Sequence, residues 1–270
     1  MSDTHSTENG LYYRHWPASN CKGVVVLVHG LGEHCERYNA IAAALNNAGY
    51  ALCSMDLPGH GQSEGVRGHI DRFEDYRNAA LTLHEKASAW YPDAPVFLLG
   101  HSMGGLIATH ILLDHQSLFQ GALLSGAAIQ SPQEPPGWQV AIIKGVATIA
   151  PKAGMLVLDA SGISRDEKVV ETYMNDPLVN KGKLSARFLV EMFNTMEECR
   201  TRAGEIILPI RIMHGGEDVM TAPEGSQLLF DSISSEDKEI EIYDGLYHEI
   251  FNEPEAEDIY AQVIAWLDRH

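Results

Sequence analysis

The sequence predicts an α/β fold in which a mostly parallel central sheet carries helices on both faces and a helical segment is inserted. Short runs of apolar, β-branched residues alternate with segments of helical periodicity along most of the chain. This alternation stops between about residues 131 and 204 and resumes afterwards. The length of 270 residues and a hydrophobic fraction of 45% suffice for one large domain with a sizeable core.

The part of the chain before residue 130 contains four candidates for buried strands with helical patterns between them. Each candidate is short, nearly continuous in apolar residues and followed by a loop, as in parallel sheets that are covered on both faces. The strand candidates are VVVLVHG (24–30), YALCSMD (50–56), VFLLGHS (96–102) and GALLSGAAI (121–129). The helical patterns cover residues 36–49, residues 73–90 and the segment after Ser102.

Strand and helix alternate again near the carboxyl end. Two strands are predicted at 208–215 and 238–245, with helices at 222–233 and 253–270. Asn252 is the expected N-cap of the last helix, and Pro254 follows near its start.

The interruption divides the chain into a core of 1–130 and 205–270 and a helical cap of 131–204, which we expect to cover the carboxyl edge of the sheet. The cap opens with SPQEPPG and shows no strand signal. Its apolar stretch 138–158 fits three interpretations: the wall of an acyl tunnel, a surface in transient contact with lipid aggregates, or a helix that packs on the core.

The formal net charge of −18 argues against a nucleic-acid partner and against strong docking on anionic membranes. The four cysteines show neither CxxC pairing nor metal-ligand spacing, and His60 and His69 lack paired ligands, so we expect reduced thiols and no metal. No secretory signal is recognisable, and no stretch reaches the ~18 apolar residues of a membrane span. We therefore expect a cytoplasmic protein, and the sequence predicts no oligomeric state.

Ser102 is the candidate nucleophile, because GHSMG stands where a buried strand ends and a helix begins. Glycines at this turn let neighbouring chain segments approach closely. The following helix directs its free N–H groups and the positive end of its dipole toward the hydroxyl. The alternative is a glycine-rich turn that only packs helix on strand.

A serine hydroxyl needs a base, and the base needs an acid to orient it. In α/β-hydrolases the chain order is nucleophile, acid, histidine. That order selects His248, just beyond the strand KEIEIYDG, and Asp218 in the loop after LPIRIMHG. Glu217 remains a rival acid, whereas Asp244 is assigned to a turn with Gly245. The histidines set aside by position are His110, His115, His214 and the terminal His270.

The developing oxyanion requires two hydrogen-bond donors. The residue after the nucleophile, Met103, supplies one backbone N–H. The second donor is expected in the glycine-containing loop HGLGEHCERY (29–38), where Leu31 is suitably placed. Read alone, this loop equally fits a plain turn before a helix.

Six motifs in this order resemble the monoacylglycerol lipases and related lysophospholipases of the α/β-hydrolase superfamily: HGLGEHCERY, DLPGHGQSEG, GHSMGG, YMNDPLV, HGGEDVM and YHEIFNE. The resemblance spans residues 10 to 270 and implies a cofactor-free serine esterase with an inserted cap. Ser102, Asp218 and His248 match the family triad, and Leu31 and Met103 match its oxyanion pair. The resemblance further implies that Arg37, His101 and Tyr173 hold the glycerol head, with Glu33 as a partner of the oxyanion loop. For Arg37 a plain solvated charge is the alternative.

The expected reaction is hydrolysis of a monoacylglycerol, a small lipid ester, through an acyl-enzyme. Rival substrates on the same chemistry are lysophospholipids and short-chain esters. A perhydrolase or an aminopeptidase would use the same scaffold, and an aminopeptidase would need acidic cap residues that face the site. A catalytically silent ligand-binding protein is the alternative from another class.

Overall fold

The computed structural model describes residues 4–270, and its centre is an eight-stranded sheet in the order β1-β2-β4-β3-β5-β6-β9-β10. The six strands from β4 to β10 in that order pair in parallel. The remaining two pairings, β1 with β2 and β2 with β4, are antiparallel. The strands of this sheet are β1 (Thr4–Glu8), β2 (Leu11–Trp16), β3 (Gly23–Val28), β4 (Tyr50–Met55), β5 (Val96–His101), β6 (Gly121–Ser125), β9 (Ile210–Gly215) and β10 (Lys238–Tyr243). The mostly parallel sheet is as predicted.

Helices cover both faces, because consecutive residues of the buried strands point to opposite sides of the sheet. One face packs on α1 and α8, and the other on α2, α3, α6 and α7. The helices are α1 (Asn39–Asn47), α2 (Glu74–Trp90), α3 (Met103–His115), α4 (Gly137–Ile149), α5 (Glu167–Asn175), α6 (Ala186–Arg202), α7 (Pro223–Ser232) and α8 (Ala256–Leu267).

The strands β1 and β2 form an amino-terminal hairpin that the sequence analysis missed. Asn9 and Gly10 both have positive φ, 50° and 76°, and join the two strands. Asn-Gly is a strong hairpin signal, since both central residues of such a turn need positive φ. Every residue of β1 is exposed, so it lacks the apolar pattern by which the other strands were found.

The segment between β6 and β9 contains α4, α5 and α6, and two short strands that correct the expectation of helices and loops alone. These strands, β7 (Gly154–Leu156) and β8 (Leu184–Ser185), pair antiparallel in a separate small sheet. Strands of three and two residues are too short to produce a periodic signal. The carboxyl half of the segment joins the core, because Phe188 and Met196 of α6 belong to the main hydrophobic cluster.

The last helix begins later than predicted. Ile250–Asn252 forms a 3₁₀ turn, and α8 begins at Ala256, so Asn252 is not its N-cap. The carboxylate of Glu253 accepts hydrogen bonds from the amide of Tyr247 at 2.9 Å and from Nε of Arg165 at 2.9 Å. These bonds tie residues 250–255 to the inserted segment. In residues 4–270 no helix combines the length and apolarity needed to cross a bilayer.

Candidate active site

Ser102 lies at a strained turn between β5 and α3. Its φ of 55° and ψ of −120° are rare for a residue with a side chain, and strain of this kind concentrates at functional sites. The backbone holds the turn on both sides: the amide of Ser102 donates to the carbonyl of Ser125 at 2.9 Å, and its carbonyl accepts from the amide of Ala128 at 3.0 Å. Gly104 permits close packing, since a Cβ there would lie 2.0 Å from the carbonyl oxygen of Val28.

Asp218 and His248 form a buried acid–base pair. Nδ1 of His248 donates to Oδ2 of Asp218 at 2.6 Å. Oδ1 of Asp218 accepts from the amides of Met220 and Thr221 at 2.7 and 3.0 Å, which holds the carboxylate in place. Burial alone would raise the pKa of Asp218, but the adjacent imidazoles His248 and His214 lower it below its ordinary value. Burial alone would lower the pKa of His248, and the Asp218 carboxylate raises it above 6.5.

Ser102 and His248 line the same cleft, which holds a cavity of about 60 Å³. Among the hydrogen bonds of residues 4–270 there is none between these two side chains. Catalytic hydrogen bonds are often long in ligand-free enzymes and tighten when substrate binds. Ser102 and His248 thus share the cleft, and the Asp218 carboxylate lies on the far side of the imidazole, bonded to its Nδ1.

In the described part of the chain, neither rival acid makes the hydrogen bond to His248 that Asp218 makes. Glu217 is exposed, and Asp244 is exposed beside Gly245, whose φ is +75°. His110 lies on α3, where its Nε2 is 3.7 Å from the carboxylate of Glu198. The terminal His270 stacks on Trp266. Of the histidines set aside by position, His214 alone contacts Asp218.

The proposed oxyanion donors, Leu31 and Met103, both line the cleft beside Ser102. Glu33 holds the loop that carries Leu31: its Oε1 accepts from the amide of Gly30 at 2.6 Å and from the hydroxyl of Tyr38 at 2.7 Å. These contacts agree with the expectation that Glu33 is a partner of the oxyanion loop.

Two of the expected head-group residues, His101 and Tyr173, also line the cleft. Nδ1 of His101 is 3.1 Å from Oγ of Ser125. Burial, together with the charge of His248, lowers the pKa of His101 to about 3, so its ring is neutral and can both donate and accept. The hydroxyl of Tyr173 would lie 3.3 Å from a Cβ at Gly32, which places it beside the oxyanion loop.

Arg37 differs from its expected role, because its guanidinium is committed to protein carboxylates. It donates to both oxygens of Glu249 at 2.5 and 2.7 Å and to Glu33 at 2.9 Å. It also lies 4.7 Å from the ring centroid of Tyr173 and is absent from the lining of the cleft. Its side chain is 11% exposed, so it is not a solvated charge either. Arg37 connects the oxyanion loop with the residue that follows His248.

His214 and Thr221 also contact the carboxylate of Asp218, and neither was predicted from the sequence to lie at the site. Oδ2 of Asp218 lies 3.0 Å from Nε2 of His214 and 2.9 Å from Oγ1 of Thr221. His214 is the first residue of the HGGEDVM motif that supplied Asp218, and Thr221 directly follows that motif, so the motif was the available signal. His214 stands between the nucleophile and the acid in the chain, so the chain order excluded it as the base. Its contact with the acid was therefore not predicted.

A second, larger pocket of about 320 Å³ adjoins the cleft. The two spaces share Leu31, Leu158, Met192, Met220 and Thr221. Much of the remaining lining is apolar and comes from the inserted segment, including Ile143, Met155, Leu184, Leu189 and Phe193. A pocket lined mainly by apolar side chains therefore lies beside the cleft that contains Ser102.

A family model described as serine aminopeptidase, S33 (Hydrolase_4) matches residues 19–255. The chain is 35% identical to a monoacylglycerol lipase of Mycolicibacterium smegmatis, over 96% of this chain and 93% of the relative. It is 33% identical to phospholipase YtpA of Bacillus subtilis, over 94% and 98% of the two chains. A crystal structure of Paleococcus ferrophilus monoacylglycerol lipase superposes with a TM-score of 0.86 at 34% identity, covering 95% of this chain and 98% of that one.

Proposed function

The chain belongs to the monoacylglycerol lipase family of α/β-hydrolases, within the broader S33 family, and from this membership we propose that it hydrolyses monoacylglycerols to fatty acid and glycerol. The observation that carries the proposal is that the cleft in which polar side chains such as His101 and Tyr173 lie with Ser102 adjoins a larger pocket lined mainly by apolar side chains. An ester with one acyl chain and a small polar alcohol matches both halves.

The proposed mechanism is acyl transfer through Ser102. His248 takes the proton of the hydroxyl while Asp218 stabilises the imidazolium that forms. The amides of Leu31 and Met103 hold the oxyanion, and one such donor is typically worth about 3 kcal/mol of barrier. His248 then protonates the glycerol oxygen as it leaves, and afterwards activates the water that releases the fatty acid. His101 and Tyr173 are proposed to orient the glycerol hydroxyls.

We propose that segment 131–204 acts as the cap of this site. It contributes Leu158, Ile163, Tyr173 and Met192 to the cleft. None of these four side chains is acidic, whereas an aminopeptidase would need an acidic cap residue to hold the substrate ammonium. The two acidic side chains that line the cleft, Glu33 and Glu249, are both bound by Arg37. These contacts favour an ester over an aminopeptidase substrate.

Among the residues that line the cleft in the described part of the chain, none is a lysine or an arginine. A lysophospholipid would bring a phosphate to this place, and phosphate recognition relies on such cations. The neutral head of a monoacylglycerol needs none. The cleft therefore favours the monoacylglycerol, while the 33% identity to phospholipase YtpA keeps the lysophospholipid as the second candidate.

Exposed apolar side chains beside the apolar pocket support a transient contact between the cap and lipid aggregates. On α4, the exposed fractions are 64% for Trp138, 54% for Ile142 and 88% for Ile149. Clusters of this kind mark surfaces that meet a partner or a lipid phase. The net charge of −18 opposes lasting attachment to anionic bilayers, so the proposed contact is brief and apolar.

The substrate is tested by comparing kcat/KM for a long-chain monoacylglycerol, a lysophosphatidylcholine of the same acyl chain and p-nitrophenyl butyrate. We expect the monoacylglycerol to be preferred over the lysophospholipid by at least about tenfold, since no cleft-lining cation is available to the phosphate. Ser102→Ala is the control and should abolish all three activities without unfolding the protein. A preference for the lysophospholipid would contradict the proposed substrate, and full activity of Ser102→Ala would contradict the mechanism.

A further inference from the structure

We propose that His214 is a positioning residue that holds the carboxylate of Asp218 against the imidazole of His248. Two imidazoles meet at one carboxylate oxygen: Oδ2 of Asp218 lies 2.6 Å from Nδ1 of His248 and 3.0 Å from Nε2 of His214. The side chains of His214 and Asp218 are both fully buried. His214 lies near the end of β9, a strand that pairs with β6 on one side and with β10 on the other, so the sheet holds this strand on both sides.

The hydrogen bonds around His214 determine which ring nitrogen carries the proton. Nδ1 lies 2.7 Å from Oγ of Ser226 on α7, which is also fully buried. Nε2 faces the carboxylate oxygen, and an unprotonated nitrogen there would set two lone pairs against each other. The consistent arrangement has the Ser226 hydroxyl donating to Nδ1 and the Nε2–H shared between Oδ2 of Asp218, at 3.0 Å, and the carbonyl oxygen of Thr221, at 3.3 Å. Ser226 thereby fixes the tautomer that makes His214 a donor.

This arrangement gives His214 an effect on catalysis that differs from simple packing. The Asp218 carboxylate shares its negative charge between two imidazole N–H groups, so each receives less of it. Without His214, Asp218 would stabilise the protonated form of His248 more strongly and raise the pKa of that imidazole. The carboxylate would also lose one of the contacts that fix its orientation, and turnover would fall.

Other charged groups near His248 remain in place when His214 is changed. Glu249 and Glu33 favour the protonated ring, as Asp218 does, and the neutral His101 packs 4.8 Å away, centroid to centroid. A shift in the titration of His248 in a His214 variant therefore reports on Asp218.

The inference rests on the proposed triad, and the test is the pH dependence of kcat/KM for p-nitrophenyl butyrate in His214→Leu. We expect the acid limb to move upward by about half a pH unit. On the plateau above the limb, we expect kcat to fall about tenfold, with KM changed less than about twofold. His214→Gln retains an N–H donor and should restore most of the turnover and the position of the limb.

A second variant and a matched control separate positioning from stability. Ser226→Ala keeps the imidazole but removes the hydroxyl that fixes its tautomer, so we expect a smaller upward shift of the same limb. This variant decides the question if His214→Leu does not fold. The control is His84→Gln: His84 is a buried histidine on α2 whose Nε2 lies 3.1 Å from the carbonyl oxygen of Leu118, and its loss should leave the acid limb in place.

The outcomes distinguish this inference from the proposed function. If wild-type Ser102 does not react with a fluorophosphonate, the triad itself is contradicted. If wild-type Ser102 reacts, but the folded His214 and Ser226 variants keep the wild-type acid limb and only melt at lower temperature, the positioning role of His214 is overturned while the proposed function stands.

Discussion

At the scale of single residues, the chemistry of the site depends on how buried charges are paired. The carboxylate of Asp218 raises the pKa of His248 against the effect of burial, and buried carboxylates elsewhere in the site are paired with Arg37. An unpaired buried charge costs free energy of folding. Removing a partner from any of these contacts should therefore change stability or activity measurably.

The raised pKa of His248 predicts where activity is lost in acid. The imidazole must be neutral to accept the proton of Ser102, and its pKa lies above the ordinary 6.5. As the pH falls through that raised value, the base becomes protonated and kcat/KM declines. We therefore expect an acid limb with an apparent pKa above 6.5 in a rate profile with a short soluble ester. A limb well below pH 6.5 would contradict the Asp218–His248 pairing.

Arg37→Met tests whether Arg37 is a structural link or a glycerol ligand. Removing the guanidinium leaves Glu33 and Glu249 buried without their partner, which typically costs about 3–5 kcal/mol of unfolding free energy. Urea denaturation measures this loss. The control is Arg72→Met, since Arg72 is 69% exposed in its pair with Asp75 and such pairs contribute about 0–1 kcal/mol. Unchanged stability with a raised KM for monoacylglycerol would instead support a direct role in binding glycerol.

At the scale of secondary-structure elements, two features shape the site. One is the turn from β5 to α3, and the other is the passage, the place beside α6 where the cleft meets the apolar pocket. The turn depends on close backbone contact at Gly104, and the passage depends on side chains such as Met192. Each feature can be tested by enlarging the side chain at one residue.

Gly104→Ala should disrupt the turn. The added methyl would lie 2.0 Å from the carbonyl oxygen of Val28, and the backbone must move to relieve this contact. We expect a loss of at least about 1–3 kcal/mol in thermal or urea unfolding, together with loss of esterase activity. Gly145→Ala on α4 is the matched control, because a Cβ there meets no atom within 4 Å and should stabilise the helix by up to about 1 kcal/mol. Equal behaviour of the two variants would refute the packing argument.

Met192→Trp should shorten the acyl chain that the enzyme accepts. Met192 lies on α6 and lines both the cleft and the apolar pocket, so a larger side chain obstructs the connection between them. We expect kcat/KM for a long-chain monoacylglycerol to fall at least about tenfold, while hydrolysis of p-nitrophenyl butyrate changes little. Met192→Leu conserves volume and should behave as wild type on both substrates. A parallel loss on both esters would indicate damage to the cleft rather than to the passage.

At the scale of the whole molecule, the sheet brings together residues that are far apart in the chain. Ser102, Asp218 and His248 all follow parallel strands of one sheet, at the ends of β5, β9 and β10. The apolar runs and the chain order therefore sufficed to predict the six parallel strands of the sheet and to nominate these three residues. The net charge of −18 bears on which partners the chain can bind and carries no information about its fold.

What the sequence could not reveal depends on contacts without a periodic or local signal. The partner of Arg37, Glu249, lies 212 positions away, and nothing in either residue type indicates that pairing. The strands β1, β7 and β8 are exposed or very short, so no buried pattern marks them. His214 was visible as a residue four positions before Asp218, but a contact between them requires the loop geometry after β9.

The central claim is that Ser102 is the nucleophile of an acyl-transfer reaction. The most direct measurement is peptide mass spectrometry after the wild-type protein reacts with a fluorophosphonate, alongside the loss of monoacylglycerol hydrolysis. We predict one adduct per chain, located on Ser102, with activity lost in proportion to labelling and no adduct in Ser102→Ala. An adduct on another residue, or full activity in a protein whose Ser102 is labelled, would contradict the claim.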